Sequence, residues 1–493
     1  MGHGDAFADN ARWSARRRPT RSIGLVLVCL YLICAVLIAW VFWFEISAIV
    51  QLIGYALTCF IIMMSLLKLI ASLLVLMPSR SPAREAHIRT WQPGIWPRYT
   101  VLVPLYNEAH MVAPLIEALD RLEYPRERLD IIFVTEKDDA ATCQAASSYL
   151  SNGKYPQFRV FQTPPSLPRT KPKALNAALS SLPIDEWGDI ITIYDAEDHP
   201  HPLQLKAAAY AFAHDPALAA VQAPLGFHDT NKTFLGALFT LEYATLFHVW
   251  NPGLVKLGLP FTLGGTSNHI RREALKLIGG WDAYNVTEDA DLSFRINAVN
   301  RPAHRANIGI IGFGTQEEPI SSLTDWHNQR VRWLKGFLQT WCVHMRPKSS
   351  APDGHKLHWL SRIRGALSLH ITLGATLLLA FLHVPCVILL SGIMIAHSAG
   401  ISTPPLPSIF YLLFCFGYST SLLSNVVGAL KANKHYLLKY IPLIPLYWLL
   451  FFIPALAALW ELITSPSHWR KTPHRCTPKM SAANIQHTHL AAE

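Results

Sequence analysis

The stretch "DIITIYDAED", residues 189–198, is the part of the sequence that most clearly indicates the fold. Its mostly apolar first half, 189–194, predicts a buried strand, and three acids follow at Asp195, Glu197 and Asp198. In open α/β sheets, ligands bind beyond the carboxyl ends of the strands. Carboxylates in that position predict either a solvated acidic turn or a site for a divalent cation, because hard cations prefer oxygen ligands.

The same pattern continues on both sides of this stretch. Short apolar runs alternate with amphipathic segments, as parallel βαβ units require. The predicted strands are 100–105, 131–135, 189–194 and 219–223, and the predicted helices include 111–122 and 203–213. The sequence therefore predicts an α/β fold for one domain over residues 95–345.

The residues before this domain are typical of a membrane anchor. The chain is 51% hydrophobic with a mean hydropathy of +0.23, which is too apolar for an ordinary soluble domain. Residues 23–43 carry no charge and residues 47–77 carry only Lys68, so each run can cross about 30 Å of hydrocarbon. Arginines on both sides of the pair predict a transmembrane hairpin over 23–77, with the basic tail 1–22 and the domain in the cytoplasm.

The residues after the domain predict a second, C-terminal membrane bundle over 359–463. Its apolar runs are 365–395, which Pro385 interrupts, 409–430 and 440–462. If the first run is one kinked span, the chain makes three crossings and ends outside. If it is two short spans meeting at Pro385, the chain makes four crossings and the basic tail 464–493 is cytoplasmic.

The net charge of +10 does not by itself indicate nucleic acid. The arginines cluster at the borders of the apolar runs, where attraction to anionic lipid accounts for them. We therefore expect the lipid bilayer, and no nucleic acid, as a partner. The eight cysteines include no CxxC pair, so they predict neither a zinc site nor a disulfide framework.

Polar motifs follow the predicted strands and continue to the end of the domain. Each motif alone is a weak signal, but their order along the chain is specific. The motifs are PLYNE (104–108), EKDD (136–139), DAED (195–198), GGTSNHIRR (264–272), TED (287–289) and QRVRW (329–333).

This order resembles that of the membrane-bound family 2 glycosyltransferases, a group that includes cellulose, hyaluronan and chitin synthases. The resemblance covers roughly residues 95–345 and extends to the membrane helices on either side. It implies a GT-A fold, a Rossmann-like domain that binds a nucleotide sugar. The overall sequence looks most like the bacterial cellulose and β-glucan synthases, which implies UDP-glucose as the donor.

The resemblance also implies Mg²⁺ or Mn²⁺ at the acidic turn. The family's metal-binding D-x-D motif carries over to Asp195 and Glu197, with Glu197 standing where the second Asp usually is. The chemistry agrees, because a departing diphosphate builds negative charge that a divalent cation can neutralise. Asp198 is expected to orient the turn or to meet solvent.

Further donor contacts are implied in two other motifs. Tyr106 and Glu108 belong to the first of them. Lys171 and Lys173 resemble the family's basic stretch near the diphosphate, since lysine serves phosphate as a point charge.

The acid that contacts the nucleoside is less well defined. Glu136 falls roughly where the family has this acid, but EKDD departs from the usual DDG. Asp138 and Asp139 therefore remain alternatives, and a surface loop is the structural alternative.

The catalytic base is implied by the TED motif. The family's base is the final acid, which carries over to Asp289, and Asp291 is the competing candidate from sequence alone. Both acids could instead favour a helix N-terminus electrostatically. Glu288 and Thr266 are expected to contact the acceptor or the diphosphate.

The QRVRW motif is expected to hold the diphosphate and the acceptor, through Gln329, Arg330, Arg332 and Trp333. On a helix, Gln329, Arg332 and Trp333 share one side. Guanidinium groups bind phosphate, and an indole can stack on a sugar. The alternative is an amphipathic helix that lies at the bilayer surface.

The C-terminal tail adds one argument about topology. Trp469 and the basic residues after it loosely resemble the segment that covers the nucleotide in processive synthases. Such a segment must be cytoplasmic, so we expect four C-terminal crossings. About 30 residues follow the last predicted span, and any regulatory or periplasmic partner is expected to be a separate subunit.

The predicted protein is an inverting, metal-dependent hexosyltransferase in the bacterial inner membrane. It would extend a β-linked polysaccharide from a nucleotide-sugar donor and could export the chain. The alternative acceptor is a membrane lipid that receives one sugar. A transporter or pore with a non-catalytic domain is disfavoured, because the clear spans are almost free of charge.

Overall fold

The computed structural model describes most of the chain outside the termini. The described residues are 13–16, 48–77, 85–151, 153–228, 233–298, 300–301, 304–305, 307–320, 322–346, 359–401 and 408–470. The predicted membrane helix over 23–43 and most of the two basic tails lie outside these residues.

The strands fall into one large sheet and two small ones. They are β1 (Tyr99–Leu105), β2 (Leu129–Glu136), β3 (Phe158–Thr163), β4 (Ile190–Ile193), β5 (His199–Pro200), β6 (Leu218–Gln222), β7 (Leu225–Phe227), β8 (Asn268–Arg271), β9 (Asn300–Arg301), β10 (His304–Arg305), β11 (Asn307–Ile310) and β12 (Thr315–Glu317). The four predicted strands are confirmed as β1, β2, β4 and β6.

The large sheet has seven strands in the order β11-β6-β8-β4-β1-β2-β3. Strands β3, β2, β1 and β4 pair in parallel, as the βαβ pattern predicts. The sequence pattern missed β8, which is antiparallel to both β4 and β6. Because β8 runs in the opposite direction, the residues before it lie beside the carboxyl end of β4, where the acidic turn begins.

Helices cover both faces of the sheet and form the membrane part. They are α1 (Ala48–Leu76), α2 (Glu85–Thr90), α3 (Val112–Leu119), α4 (Ala140–Leu150), α5 (Lys171–Ser180), α6 (Gln204–His214), α7 (Phe234–Thr245), α8 (Asn251–Lys256), α9 (Arg272–Ile278), α10 (Glu288–Ala298), α11 (Leu323–Met345), α12 (Trp359–Leu369), α13 (Ala375–Ser398), α14 (Ser408–Lys431), α15 (Ile444–Leu449) and α16 (Phe452–Thr464). The predicted helices 111–122 and 203–213 are confirmed as α3 and α6.

The core consists of two apolar layers separated by the sheet. Alternate residues of a strand point to opposite faces. Val101 and Val103 of β1 therefore pack in the layer that contains α3 and α6, and Leu102 packs in the layer that contains α5. All three side chains are fully buried. Burial on both faces explains why β1 and β4 are nearly continuous apolar runs rather than alternating ones.

Three described helical segments are long and apolar enough to cross a membrane, judged by length and composition. They are Thr58–Leu76, Arg362–Ser398 and Leu412–Lys431. His435–Leu449 and Phe452–Thr464 form a pair bent by 40°, which would make a fourth if it is one span.

The prediction of two short spans meeting at Pro385 is wrong, and so is the count of four C-terminal crossings that depended on it, because the described residues after the domain hold two candidate spans and the bent pair. Arg362–Ser398 is one continuous helical segment of 37 residues, and Pro385 lies inside α13. Proline is tolerated within membrane helices because neighbouring groups can satisfy the carbonyl that it leaves without a partner. Proline is therefore a weaker helix breaker in an apolar run than in a soluble segment.

Candidate active site

A cavity of about 820 Å³ lies at the carboxyl ends of β1, β2 and β4. This volume is typical of a small-molecule site. Twelve of the fourteen predicted site residues line it: Tyr106, Glu108, Glu136, Lys171, Asp195, Glu197, Thr266, Glu288, Asp289, Gln329, Arg332 and Trp333. Lys173 and Arg330 are not among its lining residues.

The acidic turn is held in place by Asp198. The Asp195 backbone N–H donates to Asp198 Oδ2 at 2.7 Å, and the Thr266 hydroxyl contacts the same oxygen. Thr266 reaches this point because it lies just before the antiparallel strand β8. Asp198 therefore orients the turn, and Thr266, which also lines the cavity, supports Asp198.

Burial and like charge raise the pKa values of the acids in this part of the cavity. The pKa of Asp198 is raised to about 8, chiefly by burial and then by Asp195. Burial, with neighbouring carboxylates, also raises the pKa of Glu197 and of Glu317 well above the usual range. This cluster has more negative charge than its protein neighbours neutralise.

Lys171 is the cation nearest to the turn. Its ammonium group contacts Asp195 and donates to the Gly265 carbonyl at 2.8 Å. Burial alone would lower the pKa of Lys171, but the negative charge of Asp195 and Glu288 raises it overall. Lys171 is therefore a fixed positive charge inside the cavity.

The residues at the turn fit a divalent cation that shares its coordination with a diphosphate. Within the described ranges, no group of three or more His, Cys, Asp or Glu residues is arranged to hold a metal by itself. Mg²⁺, however, is usually bound by one or two carboxylates together with substrate phosphates and water. Asp195 and Glu197 supply two carboxylates, and the buried Asp198 Oδ1 has no hydrogen-bond partner among the described residues.

The three candidate nucleoside acids occupy different positions. Glu136 lines the cavity, and its carboxylate lies 3.6 Å from Lys173 Nζ. Asp138 forms an ion pair of 2.7 Å with Arg169. Asp139 is buried and caps α4 by accepting from the Thr142 N–H at 3.2 Å. Glu136 is thus the acid that faces a ligand in the cavity, and Lys173 acts on it from outside the cavity.

The TED motif lies at the start of α10 and brings Glu288 and Asp289 into the lining of the cavity. Burial raises the pKa of Glu288 to about 7 and also raises the pKa of Asp289, against the opposing effects of Lys171 and Arg332. Asp291 points elsewhere, because its carboxylate accepts from Arg295 at 2.7 Å and contacts His344 Nε2 at 2.8 Å. Asp289, and not Asp291, therefore faces the cavity.

The QRVRW motif lies on α11 and is divided between two sides of the helix. Gln329, Arg332 and Trp333 line the cavity, as the helical spacing predicts. Gln329 Oε1 and Arg332 Nε are buried and have no hydrogen-bond partner within the described part of the chain. These atoms are therefore available to a ligand.

The prediction that Arg330 binds the diphosphate or the acceptor is not met in this structure. Its guanidinium forms two hydrogen bonds to Glu242, of 2.7 and 2.5 Å, and one to the Tyr447 hydroxyl at 3.2 Å. The rings of Trp326, Trp333 and other aromatic residues surround it. Arg330 joins α11 to α7 through Glu242 and to the bent helix pair through Tyr447.

The residues after the last helix cover one end of the cavity. Ser467, His468 and Trp469 line it, and the Arg332 guanidinium lies 4.8 Å from the Trp469 ring centre. The sequence pattern indicated Trp469 but not the two residues before it.

Two acids in the lining were missed from the sequence, Glu242 and Glu317. Glu317 ends β12, and the rule that ligands meet strand ends would have found it if that short strand had been recognised. Glu242 is the single acid in the apolar helix α7. A lone charge in such a helix could have indicated a functional residue.

Gly336 gives a direct test of how α11 supports the TED motif. A Cβ atom at Gly336 would lie less than 3.0 Å from the Thr287 side chain, so Gly336→Ala requires α11 to move. We expect a loss of roughly 1–3 kcal/mol in the free energy of unfolding and lower transfer activity. Gly365→Ala, at a helical position with nothing within 4 Å, is the matched control. Equal melting temperatures for the two variants would contradict the tight contact.

Comparison with known proteins agrees with this geometry. The model of glycosyl transferase family group 2 matches residues 190–463, more than half of the chain, and that of glycosyl transferase family 2 matches residues 100–275. The chain belongs to glycosyl transferase family group 2. This family, the α/β sheet and the long apolar helices agree with what the order of the motifs predicted.

Curated relatives are about a quarter identical to this chain over the aligned residues. The probable glycosyltransferase YdaM of Bacillus subtilis is 26% identical over 255 residues, 51% of this chain and 58% of the relative. The beta-monoglucosyldiacylglycerol synthase of Synechocystis sp. is 26% identical (53% and 52% covered), and the cellulose synthase catalytic subunit of Pseudomonas fluorescens is 28% identical (63% and 40% covered). The chain spans about half the length of the curated relatives it matches.

Among solved structures, the mannosyltransferase PcManGT from Pyrobaculum calidifontis, in complex with GDP-Man and Mn²⁺, aligns with a TM-score of 0.47 at 20% identity. The alignment covers 83% of this chain and 99% of that one.

Proposed function

We propose that this protein transfers a hexose from a nucleoside diphosphate sugar to a growing β-linked polysaccharide, with inversion at the anomeric carbon. Glucose from UDP-glucose is the proposed donor sugar. The observation that carries the proposal is that the pair Asp195 and Glu197 and the separate acid Asp289 line one cavity. Direct displacement needs a site for the donor and one separate base, and this cavity offers both.

Asp289 is the proposed base. Its carboxylate accepts the proton of the acceptor hydroxyl while that oxygen attacks the anomeric carbon and the nucleoside diphosphate leaves. The raised pKa of Asp289, which burial causes, makes it a stronger base than an exposed aspartate. A single displacement without a covalent intermediate inverts the configuration at the anomeric carbon.

The leaving diphosphate is the second centre of charge. Asp195 and Glu197 would hold Mg²⁺ or Mn²⁺, which neutralises the negative charge that develops on the leaving group. Arg332 and Lys171 add two cations from the protein, one from α11 and one from α5. Glu136 and Tyr106, at the ends of β2 and β1, lie where they can contact the nucleoside.

The acceptor is proposed to bind against α11. Trp333 presents an indole to the cavity, and flat aromatic rings stack well on sugar faces. The relative named cellulose synthase catalytic subunit and the apolar helices that follow the domain support a polymer product. We further infer a multi-pass protein of the bacterial inner membrane with its catalytic domain in the cytoplasm, from the arginines that flank the first two apolar runs.

A lipid acceptor is the second candidate. One side of the cavity is apolar, with Leu246, Phe247 and Phe337 in its lining. This surface suits an acyl chain as well as it suits a sugar face, and three of the relatives are named beta-monoglucosyldiacylglycerol synthase. Such an enzyme would add one sugar and release the product.

A donor panel tests the proposal. The purified full-length protein in lipid nanodiscs is incubated with labelled UDP-glucose, UDP-N-acetylglucosamine or GDP-mannose and with Mg²⁺ or Mn²⁺, and the product is sized. We expect label from UDP-glucose in a polymer that organic solvent does not extract and that a β-glucanase digests. If label appears only in a small, lipid-extractable product, the acceptor is a lipid and the polymer proposal is wrong. Failure to transfer sugar from a wider panel of donors would contradict the proposed function.

A further inference from the structure

Helix α11 contacts two segments that line the cavity. One is residues 285–289, which contain the TED motif and are called here the base loop. The other is residues 465–470, which follow α16 and are called here the C-terminal strap. Both segments contribute lining residues, Asp289 from the base loop and Trp469 from the strap.

Gln339 contacts both segments with the two ends of one amide. Its Oε1 accepts from the Val286 backbone N–H at 3.1 Å, and its Nε2 donates to the Pro466 carbonyl at 2.8 Å. The Gln339 side chain is buried, with 4% of its surface exposed. A planar amide with both ends engaged fixes the distance and orientation between its two partners.

The base loop has further contacts on the same face of α11. The Asn285 side-chain amide donates to the Thr340 hydroxyl at 2.9 Å, and Thr287 packs against Gly336. The N–H of Val286 is buried with this loop, so removal of its acceptor would leave an unsatisfied donor, which is costly inside a protein. Gln339 thus holds the backbone three residues before Asp289.

The strap is fixed mainly by Lys335, one turn before Gln339. Lys335 Nζ donates to the His468 carbonyl at 2.7 Å and to Glu461 at 2.9 Å, and its side chain is fully buried. Among the residues that the structure describes, its hydrogen bonds all go to residues 461–468 and none goes to the base loop. At the end of the strap, Arg470 donates to Asn328 at 2.7 Å.

We propose that Gln339 is a positioning residue that couples docking of the C-terminal strap to the orientation of the base loop. The inference rests on the proposed role of Asp289 as the base. When the strap is docked, Pro466 holds the Gln339 amide in the orientation that accepts from Val286, and the base loop is fixed. When the strap leaves, the amide is free to rotate, Val286 loses its acceptor, and Asp289 is less well oriented. The enzyme is therefore most active with the strap closed over the cavity.

Lys335→Met provides the discriminating experiment, because Lys335 binds the strap and not the base loop. Hydrogen–deuterium exchange of the full-length protein in nanodiscs is measured without substrate. We expect exchange of the Val286 amide to rise about tenfold in Lys335→Met and in Gln339→Met, since each change removes one support of the same hydrogen bond. The double variant should exchange no faster than Gln339→Met alone. Lys276→Met and Gln144→Met, at exposed positions, are the matched controls.

Faster exchange of the strap without any change at Val286 in Lys335→Met would overturn the coupling, as would additive effects in the double variant. Gln339→Glu is a second variant that preserves packing. Its carboxylate still accepts from Val286 but cannot donate to Pro466. Its exchange at Val286 should lie between those of the wild type and Gln339→Met, and exchange equal to the wild type would also overturn the coupling.

A kinetic measurement separates positioning from binding. In both Lys335→Met and Gln339→Met, kcat should fall about tenfold while the affinity of UDP, measured by calorimetry, changes less than kcat. Unchanged kcat in Gln339→Met would overturn the inference. Because exchange is measured without substrate, absence of sugar transfer in the wild type would contradict the proposed function and leave the coupling to be decided by exchange.

Discussion

Replacing Asp289 with asparagine should nearly abolish sugar transfer while leaving UDP binding almost unchanged. The amide has the shape of the carboxylate but cannot take the proton of the acceptor hydroxyl. General bases typically contribute about 10²–10⁴-fold to rate, and a loss of that size is expected in kcat. The measurement is initial rate against donor concentration, together with calorimetric binding of UDP.

The matched control for this change is Asp185→Asn, at an exposed position. Its kcat should equal that of the wild type. Wild-type activity in Asp289→Asn would remove the assignment of the base, and Asp291→Asn would then be tested. Because Asp291 is bonded to Arg295 and His344, we expect its loss to lower the melting temperature more than Asp289→Asn does.

The pH profile provides an independent check on the same residue. Burial raises the pKa of Asp289 above that of an ordinary aspartate, and only its ionised form accepts a proton. Activity should therefore fall as the pH decreases through this raised pKa, at a higher pH than an exposed aspartate would cause. An acid limb at the usual aspartate pKa, near 4, would contradict a buried base.

Asp195→Asn should have the second-largest effect, and on a different step. The change removes one carboxylate of the proposed metal pair, so divalent cations should no longer strengthen UDP binding. A hydrogen bond to a charged group is worth about 1.5–3 kcal/mol. If the lost contact between carboxylate and cation has a similar energy, UDP affinity in Mg²⁺ or Mn²⁺ should fall roughly ten- to hundredfold. The measurement is UDP binding with the metal and with a chelator.

With the chelator present, the UDP affinities of the variant and the wild type should differ by less than the change in affinity that the metal causes in the wild type. Lys171 contacts Asp195, and in the variant its charge remains next to the diphosphate. UDP binding that is equally metal-dependent in both proteins would show that Asp195 does not hold the cation. Glu197→Gln would then decide whether the acidic turn binds a metal.

The strands and the edge of the sheet that carries the site were predictable from sequence. Periodicity identified β1, β2, β4 and β6, and the rule about strand ends selected the acidic turn. Periodicity failed at β8, whose four residues in Asn268–Arg271 are too short and too polar to be recognised as a strand. The expectation that Pro385 ends a helix also failed, because the membrane environment tolerates a proline that would end a soluble helix.

The QRVRW motif shows how much of a site helical spacing can predict. Gln329, Arg332 and Trp333 lie at i, i+3 and i+4, so their common side was a consequence of sequence. The same rule places Arg330 beside Trp333, at i and i+3, so spacing did not exclude Arg330 from the site; its hydrogen bonds to Glu242 and Tyr447 occupy it instead. Its partners, Glu242 and Tyr447, are 88 and 117 residues away in the chain.

The α/β domain, its place between apolar segments, and the acids Asp195, Glu197 and Asp289 as candidates could be inferred from the amino-acid sequence. These depend on local patterns, on residue chemistry and on the order of motifs, which a linear chain displays. The tertiary structure was needed to show that Glu136 and not Asp139 faces the cavity and that Asp291 is bonded elsewhere. It was also needed to show which side chains of α11 contact the strap. Such choices depend on distances between residues far apart in sequence, and folding alone sets those distances.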